Sequence, residues 1–333
     1  MSADRKPQII DALDTMRQKE LAAGQVFKAR AYDTVIKQIR KLDHVYSLDD
    51  LAALTGIGKK IHAKIEEILT TGELKAAKNA VKAYDIEGFK ELLNVYGIGP
   101  AKARALHAAG IHNVAALRAA VHVVELTDAQ KLGLEYYEDL LERIPRAEMA
   151  RHEKFLMKTL ADNAPGLTGL IVGSYRRGAK NSGDIDMLVT VTGNMTAAAA
   201  QKEFAAFIAA LDAKGYILAT LASGAKKYMG ISSIGARGAP GKGTGRRLDL
   251  LLTPRAEYAP AVLYFTGSDK FNIAFRRHAL SLGYTLNEHE LKATGEGVPH
   301  PPAVFKDEAS IFEFLGLKYV KPEDRDVDAV FGK

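Results

Sequence analysis

Gly173-Ser174-Tyr175-Arg176-Arg177-Gly178-Ala179-Lys180-Asn181-Ser182-Gly183-Asp184-Ile185-Asp186-Met187-Leu188-Val189 decides how the rest of the chain is read. An apolar run, Leu170 to Val172, precedes it and reads as a strand. Gly173 lets backbone approach a phosphate, Ser174 offers a hydroxyl, and Arg176 and Arg177 offer charge. Alone, this is a weak glycine turn. On the strand that follows, residues two apart share a face, so Asp184 and Asp186 point one way while Ile185, Met187 and Val189 point into a core. Two carboxylates side by side repel each other unless a cation lies between them. An Asp-x-Asp by itself is more often a solvated strand end. Joined to the glycine turn just upstream, it becomes a strong signal.

Further along, Asp249 repeats the pattern: Leu248, Leu250 and Leu252 bury one face of a strand and Asp249 stands on the other. Three strand-borne carboxylates can hold two magnesium ions, one lowering the pKa of an attacking hydroxyl and the other binding a triphosphate. More strands are expected at Ile185 to Val191, Tyr216 to Ala219, Tyr228 to Ser232 and Leu248 to Leu252, with helices near Ala197 to Leu211, Ala259 to Phe265 and Phe271 to Leu282. Gly235 to Gly245, with Arg237 and Lys242, reads as a mobile basic loop.

The first third reads as helical. Ile9, Ile10, Leu13 and Met16, then Val35, Ile36 and Ile39, recur at helix spacing. Two similar interruptions stand out: Gly56-Ile57-Gly58-Lys59-Lys60 and Gly97-Ile98-Gly99-Pro100-Ala101-Lys102. A Gly-x-Gly hairpin between short helices turns backbone amides and a helix N-terminus outward, where they can hold one backbone phosphate without reading a base. One copy is more often a plain helical corner. Two copies, each with an apolar residue and a following lysine, make a helix-hairpin-helix DNA motif. Lys78 to Glu87 lacks apolar rhythm and reads as a linker.

Composition agrees. The 333 residues carry a formal charge of +6 and a pI near 9.1, which modestly favours a polyanionic partner. Cysteine is absent, which excludes disulfides, thiolate metal sites and a cysteine nucleophile. No apolar run reads as a membrane span, and Met1 to Gln8 is polar and charged. An intracellular protein is expected; composition does not choose between a nuclear location, expected if the source is a eukaryote, and a cytoplasmic or other one.

Gly173-Ser174, Asp184-x-Asp186 and a third aspartate on a later strand resemble the nucleotidyltransferase superfamily. With Arg246-Arg247-Leu248-Asp249, Tyr264-Phe265-Thr266-Gly267-Ser268 and both hairpins in order, the likeness narrows. From Phe27 to Arg325 the chain resembles the X-family DNA polymerases, the polymerase beta kind most closely. The resemblance implies an α+β, multi-subdomain fold. A helical lyase domain with the first hairpin would span 1–80 and helical fingers with the second hairpin 81–144. A palm on a small mixed sheet would span 145–255, and an α/β thumb that selects the nucleotide 256–333.

It also implies roles. Asp184, Asp186 and Asp249 would hold two Mg²⁺, for which Mn²⁺ can substitute, with Asp249 nearest the primer 3′-hydroxyl. Ser174, Arg177, Ser182 and Gly183 would hold the triphosphate. Tyr264 and Phe265 would line the sugar pocket, Gly267 would bind the nucleotide, and Asp269 and Asn272 would meet the nascent base pair. Arg247 would sit beside the primer terminus, and Arg276, Glu288 and His289 would engage the template. Lys28, Tyr32 and Lys60 would lie at a 5′-phosphate pocket, while Gly56, Gly58, Gly97 and Gly99 would grip DNA, with a monovalent cation at each hairpin. Lys64 matches the lyase nucleophile. From the residues alone, Lys60 and Lys64, one turn apart on a helix, read more often as phosphate contacts. The implied function is filling short gaps in DNA, with 5′-deoxyribose-phosphate lyase activity. The partners would be gapped or nicked double-stranded DNA and deoxynucleoside triphosphates, and the enzyme would be a monomer. A template-independent terminal transferase and a non-catalytic DNA scaffold are the alternatives. Phe27 stands where the family has a histidine, Ala76 where it has a lysine, Leu251 where polymerase beta has an arginine and Ile273 where it has a lysine. The first two departures imply weaker dependence on a 5′-phosphate.

Overall fold

The computed structural model describes residues 4–83, 85–234, 243–295 and 297–325. The chain divides into two compact units, Met1–Tyr137 and Glu138–Lys333. The first is helical: α1 (Lys6–Ala22), α2 (Val26–Ile39), α3 (Lys59–Thr71), α4 (Lys75–Ala83), α5 (Ile86–Asn94), α6 (Pro100–Ala108), α7 (Val114–Ala119) and α8 (Asp128–Glu135), with α9 (Tyr137–Leu141) at the division. It holds two apolar cores. Ile9, Leu13, Val35, Ile36, Ile39, Ile65 and Ile68 centre one, and Phe89, Leu92, Leu106, Leu117 and Leu134 the other.

The expected linker is mostly helix. Residues 78–83 continue α4, and α5 opens at Ile86, capped by the Asp85 carboxylate, which accepts from Gly88 N at 2.9 Å. Leu74, Ala77 and Ala80 are buried at a spacing of one turn, so alanine carries the apolar stripe that a search for large residues misses.

The second unit is built on a five-stranded mixed sheet in the order β2-β4-β7-β6-β5. Its elements run β1 (Ile144–Pro145), α10 (Arg146–Asn163), β2 (Leu167–Ile171), α11 (Gly173–Arg176), β3 (Asn181–Ser182), β4 (Ile185–Val191), α12 (Ala197–Ala213), β5 (Ile217–Ser223), β6 (Lys227–Ser232) and β7 (Arg246–Leu252). Then come α13 (Arg255–Thr266), α14 (Asp269–Ser281), β8 (Tyr284–Leu286), β9 (Leu291–Ala293) and α15 (Glu308–Phe314). The predicted strands and helices all lie within these spans or within a few residues of them; 235–242 of the expected basic loop lies outside the described residues.

Alternation does the sorting. Ile185, Met187, Val189, Leu248, Leu250 and Leu252 face α10 and α12 in the main core with Leu156, Phe204, Phe207 and Leu211. The opposite face is half covered: Val172 and Leu188 pack with Ala261 and Val262 of α13, and Leu251 and Phe265 join them. Leu251 thus fixes α13 to the sheet, a packing role that the comparison with an arginine did not anticipate.

His152 on α10 is fully buried, with Nδ1 2.7 Å from the Tyr216 hydroxyl and Nε2 3.7 Å from Glu148 Oε1. Burial holds the imidazole down to about 4, against the pull of the Glu148 carboxylate. The folded value lies below the unfolded one, so the stabilisation is complete above the unfolded pKa near 6.5 and is lost as pH falls through about 4. Its size is on the order of 3 kcal/mol. In urea unfolding at about pH 7 and about pH 4, His152→Gln is expected to lose much less stability between the two than the wild type does. Equal losses would show that other groups carry the acid sensitivity.

Candidate active site

β4 and β7 are parallel neighbours in register, and Asp186 lies directly opposite Asp249. Asp184 stands two residues earlier, at the mouth of β4. The three aspartates therefore share the sheet face away from α10 and α12. Gly173 closes the site from the side. Its φ is +63°, and a Cβ there would lie 2.8 Å from Asp186 Oδ2, so only glycine fits beside the carboxylate.

Burial, followed by the charges of Asp184 and Asp249, pushes the Asp186 carboxyl well above the usual carboxylate range. Burial also raises Asp249, opposed by Arg247. Oδ1 of Asp249 is buried without a hydrogen-bond partner among the described residues. Desolvated, mutually repelling carboxylates with an orphaned oxygen suit a hard divalent cation with oxygen ligands. The expected three-ligand cluster is nevertheless not drawn together: among the described residues no three His, Cys, Asp or Glu side chains are disposed to hold a metal. The physical reason is Arg247. Its guanidinium pairs closely with Asp184 and lies 3.7 Å from Asp249 Oδ2, so an internal cation neutralises the carboxylates.

The predicted phosphate residues form two groups. Ser174 Oγ donates to Ser182 Oγ at 3.0 Å, and Gly183 follows in the same turn with Arg143 Nη1 2.9 Å from where its Cβ would be. Arg177 instead reaches the end of α13, donating to the Thr266 carbonyl at 2.6 Å beside Gly267. There Tyr264 and Phe265 meet edge to face at 5.1 Å, and Asn272 Nδ2 donates to the Tyr264 carbonyl at 2.7 Å. The Gly267–Ser268 peptide is cis. Asp269 is exposed in the first turn of α14. Arg276 is exposed on α14, and no hydrogen bond or ion pair among the described residues joins it to Glu288 or His289. His289 turns to Glu257 at 2.6 Å instead.

Glu308 and Arg325, which the sequence reading did not select, hold this region together with Arg176, which it had read as charge for a phosphate. Arg176 donates to Thr266 Oγ1 and to Glu308, both at 2.6 Å, and the fully buried Arg325 donates to Glu308 at 2.7 Å. The Arg325 guanidinium also lies over the rings of Phe271, Phe312 and Tyr319. On β7, Arg246 is buried and forks onto Glu148 at 2.7 and 3.1 Å. Period-two alternation through Arg246, Leu248 and Leu250 is the signal that could have placed Arg246 on the core face.

In the first unit the hairpins are near copies. Gly56 and Gly97 turn the chain at φ of +82° and +81°, and Gly58 and Gly99 are the N-caps of α3 and α6. A Cβ at Gly58 or Gly99 would meet nothing within 4 Å among the described residues, its own chain neighbours aside, so the space beside both N-caps is clear. Lys60 is exposed, and Lys64 Nζ donates to the Lys60 carbonyl at 3.2 Å. Lys102 is engaged by the Glu125 carbonyl. Lys28 is exposed, 4.0 Å from Glu20. Tyr32 departs from the expectation, because its ring is buried in the core. Phe27 is 85% exposed, with the Arg30 guanidinium 5.9 Å from its ring centre.

Four family profiles match along the chain: a helix-hairpin-helix domain over 4–74, the fingers domain of DNA polymerase lambda over 90–141, the DNA polymerase beta palm over 143–255 and the DNA polymerase beta thumb over 261–326. Among curated proteins, DNA polymerase lambda of Rattus norvegicus is 29% identical over 335 residues, covering 96% of this chain and 56% of the relative. DNA polymerase lambda of Arabidopsis thaliana is 30% identical over 325 residues, covering 92% and 59%. DNA nucleotidylexotransferase of Gallus gallus is 26% identical over 311 residues, covering 84% and 59%. The chain thus spans under three fifths of the length of these relatives. Among the described residues no helix is long and apolar enough to cross a membrane.

Proposed function

Because the chain belongs to the X family of DNA polymerases, we propose that it fills short gaps in DNA by templated nucleotidyl transfer and cleaves 5′-deoxyribose phosphate through its helical N-terminal region. The observation that carries the first activity is the register of Asp186 against Asp249 on parallel strands, with Asp184 beside them and Gly173 closing the edge. Divalent cations, Mg²⁺ with Mn²⁺ as substitute, would supply an activated 3′-hydroxyl and charge neutralisation at the triphosphate. Asp184, Asp186 and Asp249 would hold them once Arg247 leaves the carboxylates for the primer backbone. Ser174, Ser182, Gly183 and Arg177 would orient the triphosphate, while Tyr264 and Phe265 wall the sugar, Gly267 binds the nucleotide and Asp269 and Asn272 approach the base pair. Arg276, Glu288 and His289 would meet the template strand.

The N-termini of α3 and α6, with clear space beside their N-caps, would each take a backbone phosphate, with a monovalent cation at each hairpin. Division at 1–80, 81–144, 145–255 and 256–333 into lyase, fingers, palm and thumb belongs to this reading, as do a monomeric state and an intracellular, in a eukaryote nuclear, location. The test is incorporation on a one-nucleotide gap, with and without a 5′-phosphate, against single-stranded primer. Gapped DNA is expected to be strongly preferred, with a small effect of the phosphate because Phe27 and Ala76 offer it no cation. Equal extension of the single strand would support a terminal transferase instead, and no extension of either would leave a DNA scaffold.

Lys64 is the proposed lyase nucleophile, since an amine can form a Schiff base with the sugar aldehyde. Lys64→Ala is expected to remove most borohydride trapping on a 5′-deoxyribose-phosphate end and to leave gap filling near wild type. Lys64 lies in the first unit and the aspartates in the second. Unchanged trapping would move the role to Lys60 or Lys28.

A further inference from the structure

One short segment, residues 139–148, is bonded to both halves of the candidate active site. Toward β7, Asp139 Oδ2 accepts from Gly245 N at 2.7 Å, the Glu142 carbonyl accepts from Arg246 Nη1 at 3.3 Å, and Glu148 takes the Arg246 fork. Toward the phosphate turn, Arg143 donates to Asn181 Oδ1 at 3.0 Å and to its carbonyl at 3.2 Å, and β1 pairs with β3, Ile144 opposite Ser182. Arg146 donates to the Tyr175 carbonyl at 2.9 Å and lies over the Tyr175 ring.

Arg246 is the immediate neighbour of Arg247 and stands three residues before Asp249 on one strand. A strand is stiff along its length, so a displaced Arg246 carries Arg247 and Asp249 with it. Arg246 is 5% exposed, and the bidentate carboxylate fixes both its position and its plane. A charge used only for packing would be replaceable by a hydrophobic residue; a buried fork specifies geometry.

We infer that residues 139–148 form a positioning bracket, in which Glu148 and Arg246 set the height of Asp249 relative to Asp184 and Asp186. Arg246 and Glu148 are positioning residues, since neither reaches the reacting face. The inference rests on the polymerase reading for its kinetic consequence but not for its metal-binding one.

The experiment uses the whole chain and three variants. Arg246→Lys keeps the charge and loses the fork. Glu148→Gln with Arg246→Gln removes both charges of the fork together, so Arg246 is not left as an unpaired buried ion. Asp139→Ala lies at a partly exposed site and removes only the Gly245 acceptor. Each is measured for Mn²⁺ affinity by electron paramagnetic resonance, for single-turnover gap filling, for gapped-DNA affinity and for melting temperature. The expected result for Arg246→Lys and for the double variant is Mn²⁺ affinity and single-turnover rate both down about 10- to 100-fold, as for outer-shell partners of metal sites. DNA affinity should hold, and the double variant should melt near wild type. Asp139→Ala should shift the same two quantities in the same direction by less. Wild-type Mn²⁺ affinity in Arg246→Lys or in Asp139→Ala overturns the bracket, and so does a double variant that recovers rate and melting temperature together. A wild-type protein that binds Mn²⁺ tightly and extends no primer would sink the polymerase reading while the Mn²⁺ comparison still decides the bracket.

Discussion

Asp249→Asn is expected to lower nucleotide addition on gapped DNA by at least about 10³-fold, or roughly 4 kcal/mol in the barrier, and at the same time to raise the melting temperature in metal-free buffer. The two effects share one cause. Burial holds Asp249 and Asp186 above the usual carboxylate range; the charges of Asp184 and Asp249 add to it at Asp186, and that of Asp184 at Asp249 against the opposing Arg247. A group whose folded pKa is raised costs stability at every pH above its unfolded value, so at neutral pH the metal-free site strains the fold. Replacing one carboxylate by an amide relieves that strain and removes the ligand. Affinity for gapped DNA should change little, because the proposed phosphate grips are in the first unit. Extension near the wild-type rate would end the palm assignment. Unchanged melting with lost activity would show that Arg247 already neutralises the site fully.

Glu308→Ala is expected to destabilise the second unit by about 3–5 kcal/mol, the size seen when one partner of a buried ion pair is removed. Glu308 is the shared acceptor for Arg176 and Arg325, and Arg325 is fully buried. Truncation leaves two guanidinium groups without their carboxylate, one of them out of reach of water. Glu308→Gln should cost clearly less, since the amide oxygen still accepts. Arg176 is also tied to Thr266, at the end of α13 where Arg177 and Asn272 meet the backbone. Loss of Glu308 should therefore weaken nucleotide binding in the surviving folded fraction. Urea unfolding followed by near-ultraviolet circular dichroism gives the stability, and nucleotide titration of a gapped complex gives the binding. A loss below about 1 kcal/mol would place this network among the weak surface pairs.

The Asp-x-Asp strand, the third aspartate and the two Gly-Ile-Gly hairpins were legible because their signals are local: period two on a strand, and glycines where positive φ or an open N-cap is needed. Arg325 and Glu308 were not. Charged side chains are rarely buried, and the partners of Glu308 lie on other elements, Arg325 at 17 residues and Arg176 at 132. No periodicity encodes such a meeting. The pairing of Arg247 with Asp184 was missed for a related reason: adjacent motifs were each assigned to an external ligand, whereas the two side chains pair with each other. Tyr32 was carried over as a contact residue, yet it sits at the helix spacing of Val35, Ile36 and Ile39 and is buried with them. The α4 stripe failed to register because alanine buries little area per residue.

The pairing of β4 with β7 also governs when the enzyme can become competent during its own biogenesis. The two strands are parallel, about sixty residues apart in sequence, and α12 with the β5–β6 hairpin lies between them. Parallel pairing over such a separation requires closure of a long loop and is slow relative to local helix formation. The helical first unit can mature while the chain still lacks β7. A nascent chain ending before Arg246 already carries both hairpins and Lys64, but it has no opposite strand for Asp186. Order of synthesis therefore separates the two proposed activities in time, with the lyase half complete first. When β7 does dock, a slip of one residue would turn Leu248, Leu250 and Leu252 outward and send Asp249 into the core, so the hydrophobic effect proofreads the register on which the aspartates depend.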